Sequence, residues 1–174
     1  VRSSVGLLFQ DPDDQLFCST LYQDVAFGPT NLGLPSEVIR KRVTEALSRV
    51  GLSGLEGKVP HHLSAGQKKR AALATILAME PEILFLDEPT SHLDPQGARE
   101  FIDLLQSLPA TKVLVTHELP VALEICQRIV VLEKGRIRLD APIDDLLSDG
   151  NALEDYRLYF GYNCKLCLGM KAGH

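Results

Sequence analysis

Two adjacent carboxylates mark the segment of this chain that is best suited to chemistry. Asp87 and Glu88 follow the apolar run ILFL at residues 83–86, and Pro89 then ends that run. A short apolar run of this kind is typical of a buried parallel strand, and ligands of open α/β sheets bind at the carboxyl ends of strands. One carboxylate there can hold magnesium while the other polarises an attacking water. The pattern indicates a magnesium–nucleotide site.

Four more polar segments accompany the acidic pair in a fixed order along the chain. They are Gln10 after the apolar residues 7–9, LSAGQ at residues 63–67, SHLD at residues 91–94, and His117 after the next apolar run. This ordered set resembles the ATPase subunits of ATP-binding-cassette (ABC) systems, where the segments are called the Q-loop, signature, D-loop and H-loop, and the acidic pair belongs to Walker B. The resemblance extends from about residue 5 to residue 147.

The resemblance implies a role in ATP hydrolysis for the polar residues at the strand ends. Asp87 matches the Walker B acid that supports Mg²⁺, and Glu88 matches the catalytic glutamate that positions and polarises water. His117 resembles the H-loop residue that contacts the γ-phosphate. Gln10 resembles the Q-loop glutamine, which contacts Mg²⁺ or water and senses the transporter. The implied cofactors are ATP and Mg²⁺.

The signature segment suits the binding of a phosphate in a different way. Ser64 precedes a predicted helix, whose first N–H groups and positive dipole attract an anion. Gly66 permits close backbone approach, and Gln67 can add a donor. In the family this surface meets the nucleotide of the opposite subunit in a head-to-tail dimer, and Asp94 in the D-loop crosses that interface. Ala65 stands where the family usually has glycine.

The cations at residues 68–70 follow the signature directly. They indicate a solvated helical face, with phosphate steering as the alternative interpretation.

Strands that alternate with helices are expected to position these residues. Apolar runs predict strands, and periodic segments with caps predict helices; the strands are at residues 5–9, 83–86, 112–116, 128–133 and 136–139, and the helices at 20–27, 35–50, 65–79, 95–108 and 119–126. Gly28 and Pro29 are expected to end the first helix, and Lys134 and Gly135 to form a turn. The expected fold is α/β, the P-loop NTPase fold of ABC ATPases, with a mostly parallel sheet.

The expected domain organisation is a partial ABC ATPase domain at residues 1–149 and a C-terminal tail at residues 150–174. A helical subdomain is expected within the first, at about residues 11–80. The tail contains a short amphipathic segment from Leu153 to Phe160 and the pair Cys164 and Cys167, which has metal-ligand spacing. Two cysteines supply only two ligands, so a reduced thiol pair is expected, with zinc or a redox role as the alternative.

A phosphate-binding P-loop is not found in the sequence. The pattern G-x-x-x-x-G-K-[ST] has no match, and its nearest counterpart, Gly57 and Lys58, has Leu52 where the first glycine belongs. In the family the P-loop precedes the Q-loop, and nine residues precede Gln10 in this chain. We therefore expect an N-terminally incomplete ABC ATPase that alone binds and hydrolyses ATP poorly.

Composition narrows the classes of function. The 174 residues are 45% hydrophobic and 24% charged, which is ordinary for one globular domain. A net charge of −5 argues against a nucleic-acid partner, which would need a basic surface. No apolar run approaches the length of a membrane span and no signal peptide is evident, so the expected location is the cytosol, at the cytoplasmic face of the membrane.

The Q-loop neighbourhood narrows the resemblance further. FQDPDDQLF at residues 9–17 and DVAFGP at residues 24–29 are similar to the ATPases of energy-coupling-factor and cobalt/nickel importers. This implies a second ABC ATPase subunit, in a homo- or heterodimer, and integral-membrane transport subunits as partners, with cobalt, nickel and vitamins open as substrates. One alternative is a non-catalytic subunit that lends its signature to a partner's ATP. A non-transport ABC ATPase is the other, although the 54 positions from Gln10 to Ser64 leave no room for a long coiled coil.

Overall fold

The computed structural model describes residues 4–148, and the chain divides into two compact units between Val115 and Thr116. The first unit carries the three parallel strands, and the second carries an antiparallel hairpin. Within residues 4–148, no helix combines the length and the apolar character that crossing a bilayer requires.

A parallel sheet organises the first unit. Its strands lie in the order β1 (Val5–Leu8), β2 (Ile83–Asp87) and β3 (Thr111–Val115). Leu8 pairs with Leu86, and Leu86 pairs with Leu114, so the strands end at a common edge. The predicted strands and the parallel sheet are confirmed. The residues that follow β1 and β2 are therefore brought to the same edge of the sheet.

One face of this sheet packs against a helix at very short range. Leu8, Leu84 and Leu86 are buried, as the period of two along a strand requires. Gly6 lies on the same face, and a Cβ added to it would stand 1.9 Å from the Cγ2 atom of Ile76. This close approach fixes how the helix that contains Ile76 lies on the sheet.

Three helices between β1 and β2 pack against one another. They are α1 (Leu21–Asn31), α2 (Ser36–Arg49) and α3 (Ala65–Leu77). Gly51, with φ of +71°, follows α2 and supplies the left-handed residue that commonly ends a helix. The sequence predicted this stop correctly.

The prediction that Gly28 and Pro29 end α1 is wrong. The helix continues to Asn31 with Pro29 buried inside it. Gly28 lies against Met79, and a Cβ there would be 2.6 Å from the Met79 sulfur. Packing against a residue distant in the sequence therefore outweighs the local cost of proline in a helix.

Helix α4 (Pro95–Ser107) lies between β2 and β3 along the chain, as predicted. Asp94 caps its N-terminus by accepting a hydrogen bond from the Gly97 N–H at 2.9 Å. Phe101, Ile102 and Leu105 form its buried stripe at helical spacing.

The second unit is built on a hairpin between two short helices. Its elements are α5 (Leu119–Ile125), β4 (Arg128–Glu133), β5 (Arg136–Pro142) and α6 (Ile143–Ser148). The β4–β5 pair is antiparallel, unlike the sheet of the first unit. Lys134 and Gly135 both have positive φ, the backbone of a tight hairpin turn, which confirms the predicted turn. Leu119, Leu123 and Ile143 form a small core.

The described residues leave some predictions untested. The amphipathic segment at residues 153–160 and the pair Cys164 and Cys167 lie outside the described residues. The helical subdomain at residues 11–80 and the boundary at residue 149 stay predictions.

Candidate nucleotide site

The acidic pair lies at the carboxyl end of β2, in the turn that leads towards α4. Asp87 is the last residue of the strand, and the Glu88 N–H donates to the Val115 carbonyl at 2.9 Å. Glu88 has φ of +41°, in the left-handed region. Its carbonyl accepts from the Ser91 N–H at 3.1 Å, which closes the turn. Such strained backbone costs of order 1–3 kcal/mol and clusters at functional sites.

The loop after β1 is tied to helix α3 by its own side chains. Gln15 accepts from the Phe9 N–H at 3.3 Å and donates to the Thr75 hydroxyl at 2.8 Å. Asp13 pairs with the Lys68 ammonium at 2.8 Å. Gln10 is exposed between these anchors. Its backbone is fixed while its amide side chain faces solvent.

Lys69 brings the acidic turn and the glutamine loop together. Its side chain is 1% exposed. The ammonium donates to the carbonyl of Gln10 at 2.6 Å, the carbonyl of Glu88 at 3.2 Å and the hydroxyl of Ser91 at 3.4 Å. A lysine ammonium has three donors, and each finds an acceptor. Gln10 and Glu88, two of the three predicted catalytic residues, therefore share a single backbone anchor.

The start of α3 has the geometry expected of a phosphate-binding helix end. Ser64 caps the helix, and its hydroxyl accepts from the Gln67 N–H at 3.3 Å. The Gln67 side-chain oxygen in turn accepts from the Ser64 N–H at 3.0 Å, which completes a capping box. The predicted phosphate contact of Gln67 is left to its amide NH₂ group, because the oxygen serves the cap.

An open cleft of about 480 Å³ joins this helix end to the start of α4. Its lining comes from both segments: Ser64, Ala65, Gly66, Arg70, His92, Leu93, Asp94, Gln96, Gly97 and Glu100. A Cβ added to Gly66 would meet no atom closer than 3.9 Å, so packing within the first unit does not explain this glycine. A glycine at such a position permits close approach of a ligand or partner to the backbone.

His117 belongs to the second unit, two positions after the end of β3. Its side chain is exposed, and the neighbouring Glu118 N–H donates to the Thr116 hydroxyl at 3.0 Å. Its predicted contact with the γ-phosphate stays a prediction.

Comparison with known proteins identifies the family and the fold of this chain. The sequence model of the ABC transporter family matches residues 1–91, more than half of the chain and the part that contains the Q-loop, signature and Walker B segments. The chain belongs to the ABC transporter family. The predicted ABC ATPase fold is confirmed by a solved structure, cbiO1 from Clostridium perfringens, described as part of the ABC transporter complex cbiONQ. It matches with a TM-score of 0.77 and 39% identity over 99% of this chain and 68% of that one.

Sequence relatives of this ABC protein are close but longer. A putative ABC transporter ATP-binding protein of Streptomyces avermitilis is 50% identical over 94% of this chain and 63% of the relative. The energy-coupling factor transporter ATP-binding protein EcfA of Methanocaldococcus jannaschii is 49% identical over 86% of this chain and 54% of the relative. The chain therefore spans somewhat over half the length of these relatives.

The residues of this ABC protein fit Mg²⁺ and a nucleotide phosphate. Asp87 and Gln10 offer carboxylate and amide oxygens, the ligand types that Mg²⁺ prefers, at one edge of the sheet. Ser64 and Gly66 offer a helix N-terminus that opens into a cleft.

The prediction of a solvated cationic face after the signature is wrong. Lys69 is buried, Lys68 pairs with Asp13, and Arg70 pairs with Glu100 at 3.3 Å. The sequence did contain the signal, because Lys69 stands three, four and seven positions before the buried residues Ala72, Leu73 and Ile76. Because lysine is charged, Lys69 was predicted to lie on the solvated face and not on the buried stripe of α3.

Burial also sets the titration of this lysine. Removal from water lowers the pKa of Lys69, and the nearby Asp11, Asp87 and Glu88 carboxylates act in the opposite direction. The carbonyl acceptors and these negative charges are what make a buried ammonium tolerable at this position.

Proposed function

We propose that the complete protein is the ATP-hydrolysing subunit of a membrane importer of the energy-coupling type, with cobalt, nickel or a vitamin as substrate. The observation that carries this proposal is the convergence on Lys69 of the Q-loop and Walker B backbone carbonyls and the D-loop Ser91 hydroxyl, beside a signature helix that opens into a cleft. The energy-coupling factor relative and the likeness to cbiO1 support the importer class. The ATPase itself does not contact the transported substrate.

The chemistry assigned to this chain is positioning and charge stabilisation at a phosphate. Asp87 and Gln10 would hold Mg²⁺, which supplies neutralisation of phosphate charge when bound. Glu88 orients the attacking water and accepts a hydrogen bond from it. His117 is proposed to contact the γ-phosphate. Phosphoryl transfer depends mostly on such positioning, so small displacements of these groups are costly.

A second ABC ATPase subunit is the proposed partner at the signature cleft. Ser64 and Gly66 would face the nucleotide held by the P-loop of that subunit, and Asp94 on the other wall of the cleft would cross the interface. The unexplained glycine at position 66 supports this, since a backbone approach needs the missing Cβ. The Ala65 methyl lies in the same cleft and is the obstacle to the closest approach.

An integral-membrane subunit is the proposed partner at a second surface. Phe17 and Phe27 are 63% and 49% exposed, and their rings stack edge to face with centroids 5.0 Å apart. With Tyr22 and Ala26 they line an open groove, and these residues follow the Q-loop in the chain. An exposed aromatic pair of this kind suits a protein interface. Membership of the neighbour cbiO1 in a cbiONQ complex supports a place on the cytoplasmic face of the membrane.

Removal of the Glu88 carboxylate tests the ATPase proposal. The test protein is this chain joined to the P-loop-containing N-terminal segment of a relative. We expect Glu88→Gln to lower the turnover number by roughly 10²-fold or more, the scale for loss of a positioned general base, while nucleotide binding persists. Glu82→Gln, at an exposed acid before β2, is the control and is expected to leave the rate unchanged. An unchanged rate in Glu88→Gln contradicts the assignment.

A second candidate function is a non-catalytic subunit that completes a partner's ATP site. The open signature cleft favours it, together with Gly66, which packing within the first unit does not explain. Mixed with a subunit that has a P-loop and a disrupted signature, the 174-residue chain is expected to form a heterodimer with Mg-ATP. Ser64→Arg is expected to abolish this association, because its side chain fills the phosphate position.

Sedimentation velocity with and without Mg-ATP decides between these outcomes. Ser53→Arg, at an exposed loop position away from the cleft, is the matched control and should leave association intact. If no nucleotide-dependent heterodimer forms, the non-catalytic function is rejected.

A further inference from the structure

We propose that Lys69 is a positioning residue of the ATPase site, a role that rests on the function proposed above. Its ammonium holds the Q-loop and Walker B backbones and the D-loop Ser91 side chain in one arrangement relative to the signature helix. These three segments and the helix all supply groups to ATP hydrolysis in the proposed mechanism, and Lys69 contacts the three segments from the helix.

Each of the three ammonium donors of Lys69 has an acceptor. Two acceptors are the backbone carbonyls of Gln10 and Glu88, and the third is the Ser91 hydroxyl, which also lies 3.5 Å from the Gln10 carbonyl. Since the side chain is 1% exposed, water does not replace a contact that is lost. Loss of the ammonium removes a charged donor from all three acceptors, and the Glu88 carbonyl keeps only the Ser91 N–H.

The backbone atoms that Lys69 holds belong to the residues assigned to the chemistry. Glu88 is fixed on both sides: its N–H donates to the Val115 carbonyl, and its carbonyl accepts from Lys69. A left-handed glutamate persists only when its surroundings enforce that conformation. Without Lys69 the Glu88 carbonyl is held only by the Ser91 N–H of the same turn, so the direction in which the Glu88 carboxylate leaves the backbone is less firmly fixed.

The position of Lys69 in α3 links these atoms to the signature. It lies in the second turn of the helix that Ser64 caps. Lys68 and Gln15 also tie the Q-loop to this helix, but their contacts are to Asp13, Thr75 and backbone of the loop and helix, and they reach neither Glu88 nor Ser91. A displacement of the signature helix is therefore transmitted to the catalytic turn through Lys69.

Steady-state kinetics on the P-loop-restored protein separates positioning from simple stabilisation. Lys69→Met keeps the length of the side chain and removes its donors. We expect kcat to fall by about 10- to 100-fold with KM for ATP changed by less than about twofold, since misplacement of a catalytic group acts on the transition state. Lys68→Met, the neighbouring lysine on the same helix, is the matched control and is expected to retain kcat within about twofold.

Ser91→Ala provides a second test should Lys69→Met fold poorly. It removes one acceptor and leaves Lys69 in place. We expect the same selective loss of kcat on a smaller scale, about 3- to 10-fold, and less than additive effects when the two changes are combined. Unchanged kcat in both single variants overturns the proposal, as does an equal loss in Lys68→Met.

Hydrogen exchange of the 174-residue chain without ATP gives a readout that does not depend on catalysis. In Lys69→Met, peptides that cover residues 9–13 and 88–93 are expected to exchange at least about tenfold faster. Peptides from α2 should be unchanged. Equal exchange in wild type and variant overturns the proposal. Absence of ATP hydrolysis in the restored wild type would instead reject the proposed function, and the exchange result would still decide whether Lys69 holds these segments.

Discussion

Two cationic networks of the chain differ in burial more than in geometry. In the second unit Arg128 makes two parallel hydrogen bonds of 2.7 Å to the Asp140 carboxylate, across the β4–β5 hairpin. In the first unit Lys69 makes contacts of 2.6 to 3.4 Å to uncharged oxygens. By distance and charge the arginine pair is the better one. Yet its side chains are 70% and 37% exposed, whereas Lys69 is buried.

The difference teaches what a polar contact contributes to stability. When the hairpin pair is broken, water solvates both groups, so little free energy is lost. When Lys69 is removed, the carbonyls of Gln10 and Glu88 and the Ser91 hydroxyl all lose a charged donor, and the Glu88 carbonyl keeps only the Ser91 N–H. Two of the three Lys69 contacts are longer than those of Arg128, but the loss of all three is expected to lower the stability of the fold more.

The largest expected effect is that of Lys69→Met on the stability of the chain. Hydrogen bonds to a charged donor contribute about 1.5–3 kcal/mol each, partly offset by relief of the buried charge, so we expect a loss of about 3 kcal/mol in the free energy of unfolding. Urea denaturation followed by circular dichroism measures it. Lys68→Met is the control, with an expected loss below about 1 kcal/mol. Equal midpoints for the two variants would contradict the comparison.

Two glycines give a second comparison between the units, with expected losses of stability that are smaller than that of Lys69→Met. Gly6 in the first unit is required by packing, because an added Cβ would stand 1.9 Å from Ile76. Gly135 in the hairpin has φ of +73° and no neighbour within 4 Å, so it is required only by conformation. We expect Gly6→Ala to cost about 2 kcal/mol and Gly135→Ala about 1 kcal/mol in the free energy of unfolding.

Second substitutions distinguish the two causes. Ile76→Ala should cost less in the Gly6→Ala background than it does alone, because it removes the Cγ2 atom that the new Cβ meets. Gly135→Asn should be nearly neutral, since asparagine tolerates the left-handed region. The interpretation is wrong if Gly135→Asn is as destabilising as Gly135→Ala in thermal denaturation.

The smallest expected effect concerns the exposed hairpin pair and appears as a titration. The hydrogen bond from Arg128 lowers the pKa of Asp140 below 3.8. A lowered carboxyl pKa stabilises the fold above the unfolded-state value, and this contribution is lost as the pH falls through the folded pKa. Arg128→Ala should return the Asp140 pKa towards 3.8 in a carbon-detected NMR titration, and its loss of thermal midpoint at pH 7 should be smaller than that of Gly135→Ala. A larger loss would show that exposure does not weaken the pair.

Local patterns predicted most of the elements, and they placed the candidate site residues at the ends of strands and at the start of a helix. The run before Asp87 reads as a buried strand without outside information, and Ser64 is recognisable as a helix cap from its type and from Gln67 three positions later. Both features depend on residues within a few positions of each other. Their outcome in the structure agrees with the sequence for that reason.

The failures came from contacts between residues far apart in the chain. Helix α1 continues past Gly28 because Met79 packs against it, and Lys69 is buried because the Q-loop and the Walker B turn supply its acceptors. No window of local sequence contains these partners. The spacing of Lys69 with Leu73 and Ile76 indicated a buried position. The acceptors that permit a charge there can be identified only from the folded structure.

The left-handed backbone of Glu88 has a consequence for laboratory evolution. Asparagine and glycine tolerate a φ of +41° better than glutamate does, so Glu88→Asn or Glu88→Gly relieves part of the strain. A library screened for heat resistance alone is therefore expected to enrich these replacements at position 88. Such a screen would discard the carboxylate assigned to water activation, and thermostable clones from it should be sequenced at this codon before their turnover is compared.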